Sequence, residues 1–167
     1  MLPLWVFALL SLGLLLARLD SVKSVQGLTP IFAALLTAVG LQTALLLWNP
    51  QWATLGYPVV MSGCSAGAFL FTLFSPPVLV ERLAALRAPP PAEAHRYLRA
   101  VTCVWGLFLA LNTAVATWTV YRALQGDIAT WTVYNGLLSY LCMGGLFLGE
   151  WLLRKKLQGR SATQSTA

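Results

Sequence analysis

Ten of the eleven Lys and Arg residues fall in alternate gaps between five charge-free apolar stretches. That pattern restricts the chain to helices threaded through a bilayer, and it also orients them. Residues 1–17 carry no charge, and Arg18 and Lys23 follow. From Ser24 to Val80 there is no Asp, Glu, Lys or Arg. The segment Glu81 to Arg99 holds Arg82, Arg87, Arg96 and Arg99. Residues 100–121 and 128–149 are again uncharged, and Arg154, Lys155, Lys156 and Arg160 lie near the end. A hydrocarbon core of about 30 Å needs about 20 helical residues, and the last two windows have that length without trimming. The long uncharged run exceeds one helix. It is expected to break at Trp48-Asn49-Pro50 and again near Tyr57-Pro58.

Composition excludes a soluble domain. With 58% hydrophobic and 10% charged residues, and a mean hydropathy of +0.72, a chain of this size cannot hide its apolar surface from water. The net charge of +6 reads as topology signals facing anionic lipid, with no nucleic-acid partner. Cys64, Cys103 and Cys142 lie in three different apolar segments without metal-ligand spacing, and are expected to behave as small hydrophobes. No cofactor and no metal are expected.

The expected fold class is all-α: a polytopic bundle of five transmembrane spans, or four if the first segment does not cross. The spans are placed at about 2–18, 30–48, 57–75, 98–122 and 128–152, forming a single domain over 1–157. An outer loop is expected at 49–56, and a disordered cytoplasmic tail at 158–167. The positive-inside rule then puts the N-terminus outside and the C-terminus in the cytoplasm. Trp48, Trp52, Tyr57, Trp118, Tyr121, Trp131 and Tyr134 sit where outer interfacial aromatics are expected, with Trp105 and Trp151 towards the inner face.

The loop at 76–97 has internal order. Pro76-Pro77 stops the third span. Residues 78–87 form an amphipathic segment, with Leu79, Leu83 and Leu86 on one face, expected to lie flat at the cytoplasmic surface. Ala88 to Pro91 is a stiff turn. Pro91 and Glu93 suit the start of a helix running into the fourth span.

Polar groups inside the spans are where chemistry would reside, since each must find a partner. Asn112 lies near the centre of the fourth span. Asn135, Ser139, Cys142 and Glu150 share a stripe of the fifth. With Asn112, the residues Asn135, Ser139 and Glu150 define a candidate polar cleft. Their bland role is hydrogen bonding between helices. Ser62, Ser65, Thr72 and Gln42 are further intramembrane polar groups. Gly63 and Gly67, like Gly145 and Gly149, have the spacing that lets helices approach closely. Glu81, Arg82, Arg96, Arg99 and Arg154 form a candidate cytoplasmic cluster. Enzyme motifs are absent: His95 is the only histidine, and no phosphate loop or nucleophile elbow occurs. No catalytic residue is assigned.

Several runs of the second half resemble a bacterial inner-membrane family of uncharacterised proteins. They are Pro76-Pro77 with Glu81-Arg82-Leu83-Ala84, and Tyr97-Leu98-Arg99-Ala100-Val101-Thr102 leading to Val104-Trp105, Phe108 and Asn112. Further on come Trp131-Thr132-Val133-Tyr134-Asn135-Gly136, Tyr140, and Gly149-Glu150-Trp151 with Arg154. Leu109 and Thr113 stand where that family has Phe and Gly. The genes of the family accompany aryl-polyene or xanthomonadin-type clusters with fatty-acid-synthase-like enzymes. The resemblance implies an accessory or scaffold role beside lipid-like synthesis, with membrane lipids and acyl-carrier or acyl-transfer enzymes as partners. A small transporter or flippase component for a lipid-like product, and a membrane transferase, are the other classes the features admit.

Overall fold

The computed structural model describes residues 28–164, together with 6, 9, 10, 12–14 and 16–18, and side chains as far as Lys155. Of the expected first span at 2–18, residues 6, 9, 10, 12–14 and 16–18 are described and are helical, and the others lie outside the described residues. The described part is all-α, with six helices. They are α1 (Thr29–Trp48), α2 (Pro50–Phe74), α3 (Leu79–Ala85), α4 (His95–Leu124), α5 (Ile128–Val133) and α6 (Ser139–Gln164). A 3-10 turn at Ala92–Ala94 leads into α4, and a π-turn at Tyr134–Leu138 joins α5 to α6. Four stretches are long and apolar enough to cross a membrane: Thr29–Trp48, Pro50–Phe74, Ala92–Leu124 and Ile128–Lys155. This is a multi-pass integral membrane architecture.

The expected loop at 49–56 is not a loop. Helix α2 starts at Pro50, and Asn49 alone makes the corner. Asn49 accepts a hydrogen bond from the Gln51 N–H at 2.8 Å, and proline at the first helical position has no N–H to leave orphaned. Nor does Pro58 break α2, which runs through it. In hydrocarbon every other backbone group gains from staying paired, so one missing N–H does not end the helix, and hydroxyls add bonds to neighbouring carbonyls. Ser62 donates to the Pro58 carbonyl at 2.7 Å, and Thr54 to the Pro50 carbonyl at 2.9 Å. The α1–α2 hairpin is tied by Gln42, wholly buried, whose Nε2 donates to the Ala53 carbonyl at 2.9 Å.

Helix α2 packs on α1 at one side and on α4 at the other. Small residues make the close approaches: Ala38, Ala53 and Ala116 are essentially inaccessible. Gly106 is the tightest point, because a Cβ there would lie 2.7 Å from Leu70 Cδ2. Gly63 faces Thr113, whereas Gly145 and Gly149 have open space where a Cβ would stand. Only the first of the two small-residue motifs therefore touches a neighbouring helix within the described chain.

Helix α3 is shorter than the 78–87 segment expected to be helical. Its N-cap, Val78, has no side chain to offer the first N–H groups. Two membrane helices supply the acceptors instead: Leu79 N–H donates to Thr72 Oγ1 at 3.0 Å, and Val80 N–H to Thr102 Oγ1 at 3.4 Å. This pins α3 across the ends of α2 and α4. Of its apolar face, Leu79 is buried in the protein, while Leu83 and Leu86 are exposed. At the chain's end, the tail expected to lack structure from 158 continues as helix to Gln164.

Candidate functional site

The polar groups gather in two places. One is midway along the spans, where Asn112 is 6% exposed. Its Oδ1 accepts from Ser139 Oγ at 2.8 Å and from Tyr134 Oη at 3.0 Å. In a regular α-helix, residues five apart point about 140° away from each other. The π-turn removes that divergence. The Ser139 N–H reaches the Tyr134 carbonyl, an i to i+5 bond that brings both side chains to one face. Asn135 belongs to the same turn but bonds nearer the helix end. Its Nδ2 donates to Thr119 Oγ1 at 2.9 Å and to the Trp131 carbonyl at 3.0 Å, and its Oδ1 is buried without a partner. On the far side of α4, the Thr113 hydroxyl lies 3.0 Å from Ser62 Oγ and 2.7 Å from the Leu109 carbonyl. A cavity of about 260 Å³ opens beside this network, lined among others by Asn112, Asn135, Ser139, Ser62, Ser65 and Arg18.

The second place is the end of the bundle that carries α3. Glu150 there accepts from Arg154 Nη2 at 2.9 Å through Oε1 and from Trp105 Nε1 at 3.4 Å through Oε2. Trp105 packs edge-on against Phe147 and Phe108, with ring centroids 6.5 and 6.2 Å away. The Tyr97 hydroxyl is buried without a hydrogen bond of its own, although the Arg154 guanidinium is its electrostatic neighbour. Trp105, Glu150, Trp151 and Arg154, with Leu83 of α3, border a cavity of about 310 Å³. Helix α6 is the edge of the described bundle and meets α4 here through Trp105. In its most apolar window, 6% of the Ile128–Lys155 span is buried in the protein, against 33% for Ala92–Leu124.

Of the four residues expected to form one cleft, Asn112 and Ser139 are in contact, Asn135 is a turn away, and Glu150 lies at the other site. The five residues expected as a cytoplasmic cluster do not form one. Glu81 Oε1 meets His95 Nδ1 at 3.0 Å. Arg82 donates to the carbonyls of Pro77 and Ser75, clamping the turn before α3. Arg154 is taken up by Glu150. Arg96 and Arg99 are exposed on the first turns of α4. Long, flexible basic side chains on separate elements each satisfied the nearest acceptor or water instead of converging.

Residues absent from the sequence-based sites prove central. Tyr134, Trp105 and Trp131 read as interfacial belt aromatics, yet each donates a hydrogen bond inside the bundle. Trp131 Nε1 bonds the Leu55 carbonyl at 3.0 Å. A polar handle level with an acceptor on the facing helix was the available signal. Trp48 and Trp52, stacked with centroids 6.2 Å apart, are exposed with Trp118 and Tyr121, as a belt requires. Among the described residues, no three His, Cys, Asp or Glu gather as a metal-binding group. No protein family, curated protein or solved structure matches this chain.

Proposed function

We propose that the chain is a non-catalytic integral-membrane accessory protein for the synthesis of a lipid-like, polyene or fatty-acid-type product. In this reading it lies in a bacterial inner membrane and crosses it five times. The N-terminus is outside and the α3 end faces the cytoplasm, as the alternation of basic residues requires. Its role is to dock acidic acyl-carrier or acyl-transfer enzymes at the bilayer.

One observation carries this: the laterally open, aromatic-lined cavity at Glu150 and Arg154 adjoins the stretch from α3 to the first turns of α4, which presents exposed arginines. Arg87, Arg96 and Arg99 are exposed, while Glu81 is already engaged by His95. A basic rim beside an apolar recess suits a carrier that is acidic outside and bears an acyl chain. The resemblance adds support, because Tyr97, Trp105, Asn112, Tyr134, Glu150 and Arg154, which help carry it, all lie in or against the two polar sites.

Binding of a long-chain acylated, acidic carrier protein to the full chain in nanodiscs tests the reading. Reversal of Arg96 and Arg99 to Glu should slow association at least several-fold, and added salt should do the same to the native chain. Equal association of both chains, unaffected by salt, would overturn it.

A further inference from the structure

The hydrogen-bond network around Asn112 leaves donors over. Asn112 is 6% exposed, and its Oδ1 serves Ser139 and Tyr134. Its Nδ2 donates to no group among the described residues, yet it is not sealed in as the partnerless Asn135 Oδ1 is. It opens on the cavity of about 260 Å³ that Asn112 lines. Two hydroxyls of the same lining, those of Tyr57 and Ser65, also bond to nothing among the described residues. A carboxamide N–H so nearly buried costs free energy unless it meets an acceptor.

Access to that space is from the bilayer. Tyr140 and Met143 of α6 form part of its wall, and Tyr140 is exposed on the outside of the bundle. Both also line a groove of about 690 Å³ that passes Gly144 and Leu148 towards Trp151. A hydrocarbon chain leaving the polar cavity has apolar walls to follow.

The chemistry of the lining selects a neutral acceptor. Asn112 Nδ2 can only donate, and the hydroxyls of Tyr57 and Ser65 can donate beside it. A carbonyl oxygen has two lone pairs for such donors and carries no charge. An anion is disfavoured, because Ser65 and Asn112 lie well inside α2 and α4, where charge is costly. The buried Asn135 Oδ1 in the same wall would repel it as well. Arg18 borders the cavity but is exposed, and no group of the network bonds to it. We infer that the space between α2, α4 and α6 binds the carbonyl of a neutral, lipid-soluble molecule such as a long-chain ketone or ester. Asn112 Nδ2 and the Tyr57 and Ser65 hydroxyls hold the oxygen, and the chain lies in the groove along α6. The inference is independent of carrier docking at the basic end.

Native mass spectrometry of the full chain from dodecyl maltoside micelles, which contain no carbonyl, reads this directly. The probes are methyl pentadecyl ketone, heptadecane and palmitate. The native chain should retain the ketone in preference to the alkane and the anion. Isotope-edited infrared spectroscopy should show the bound carbonyl stretch below its position in protein-free micelles, as hydrogen bonding requires. Ser65→Ala and Tyr57→Phe each remove a hydroxyl that bonds to nothing in the protein, so the thermal midpoint should stay unchanged. Each should weaken the ketone by about twofold to tenfold, the size of one neutral hydrogen bond. Arg18→Gln should leave ketone retention as it is. Equal retention of ketone and alkane, or an unshifted carbonyl band on the native chain, would mean that water alone meets these donors and would overturn the site. Ketone binding unaffected by both hydroxyl variants would overturn it too, and palmitate retained more tightly than ketone and lost in Arg18→Gln would overturn the neutral assignment.

Discussion

A single carboxamide oxygen organises the middle of this protein. Asn112 Oδ1 is the acceptor for both Ser139 and Tyr134, and the residue is 6% exposed. Asn112→Leu should cost about 1–2 kcal/mol, since two hydroxyls lose their acceptor but can partly find others within the membrane. Reversible unfolding in mixed micelles checks this, and a loss above about 4 kcal/mol would mean that the network is more cooperative than pairwise bonds allow. Gly106 answers to a different force. A methyl group there would press on Leu70 Cδ2, and Phe69 Cβ stands 3.3 Å off. The Leu70 side chain can rotate but the helix pair is already in contact. Gly106→Ala should therefore destabilise by about 1–3 kcal/mol, whereas Gly145→Ala, with open space around it, should be nearly neutral. Matching losses at both positions would show that a surface outside the described chain packs on Gly145.

Elements here are joined by borrowed caps. Helix α3 depends on Thr72 and Thr102 for its first N–H groups, and so its position is written into α2 and α4. Helix α5 depends on Asp127. The carboxylate accepts from the Thr130 hydroxyl at 2.7 Å and its N–H at 3.2 Å, and from Arg122 at 2.9 Å. These bonds, Thr130 first and Arg122 second, hold the Asp127 carboxyl below its ordinary value of 3.8. A depressed folded-state pKa stabilises above the unfolded value and loses that contribution as pH falls through the folded one. The α4–α5 turn should thus be unaffected between pH 5 and 8. It should loosen only below about pH 4, seen as faster amide exchange at Thr130 and its neighbours. Asp127→Asn should remove that acid response; an unchanged response would assign it to another group.

At the scale of the molecule, the four described spans form a meander, α1 to α2 to α4 to α5–α6, in which the last member is the least embedded. That edge helix borders the cavity at Glu150. The proposed orientation is tested by alkaline-phosphatase fusions. Those after Gln125 should be active, and those after Pro90 and Gln158 inactive. The reverse pattern would invert the whole assignment of faces.

The sequence by itself determined the class. Absence of charge over bilayer-length windows leaves backbone groups no option except helices. The short turn at Gln125–Asp127 also sets antiparallel neighbours, which puts Asn112 at the depth of Ser139 or Cys142, and the structure selects Ser139. Pairing in three dimensions was not legible from the sequence. Pro58 looked like a break, yet α2 runs through it, because in hydrocarbon the rest of the backbone stays paired as helix. Tyr134 looked like a belt residue, since periodicity assumes 3.6 residues per turn and the π-turn departs from that. Glu150 looked like part of the Asn112 stripe, but a stripe fixes direction around a helix and not distance along it. The tertiary structure decided those points, because which donor meets which acceptor depends on where two helices touch and where they part.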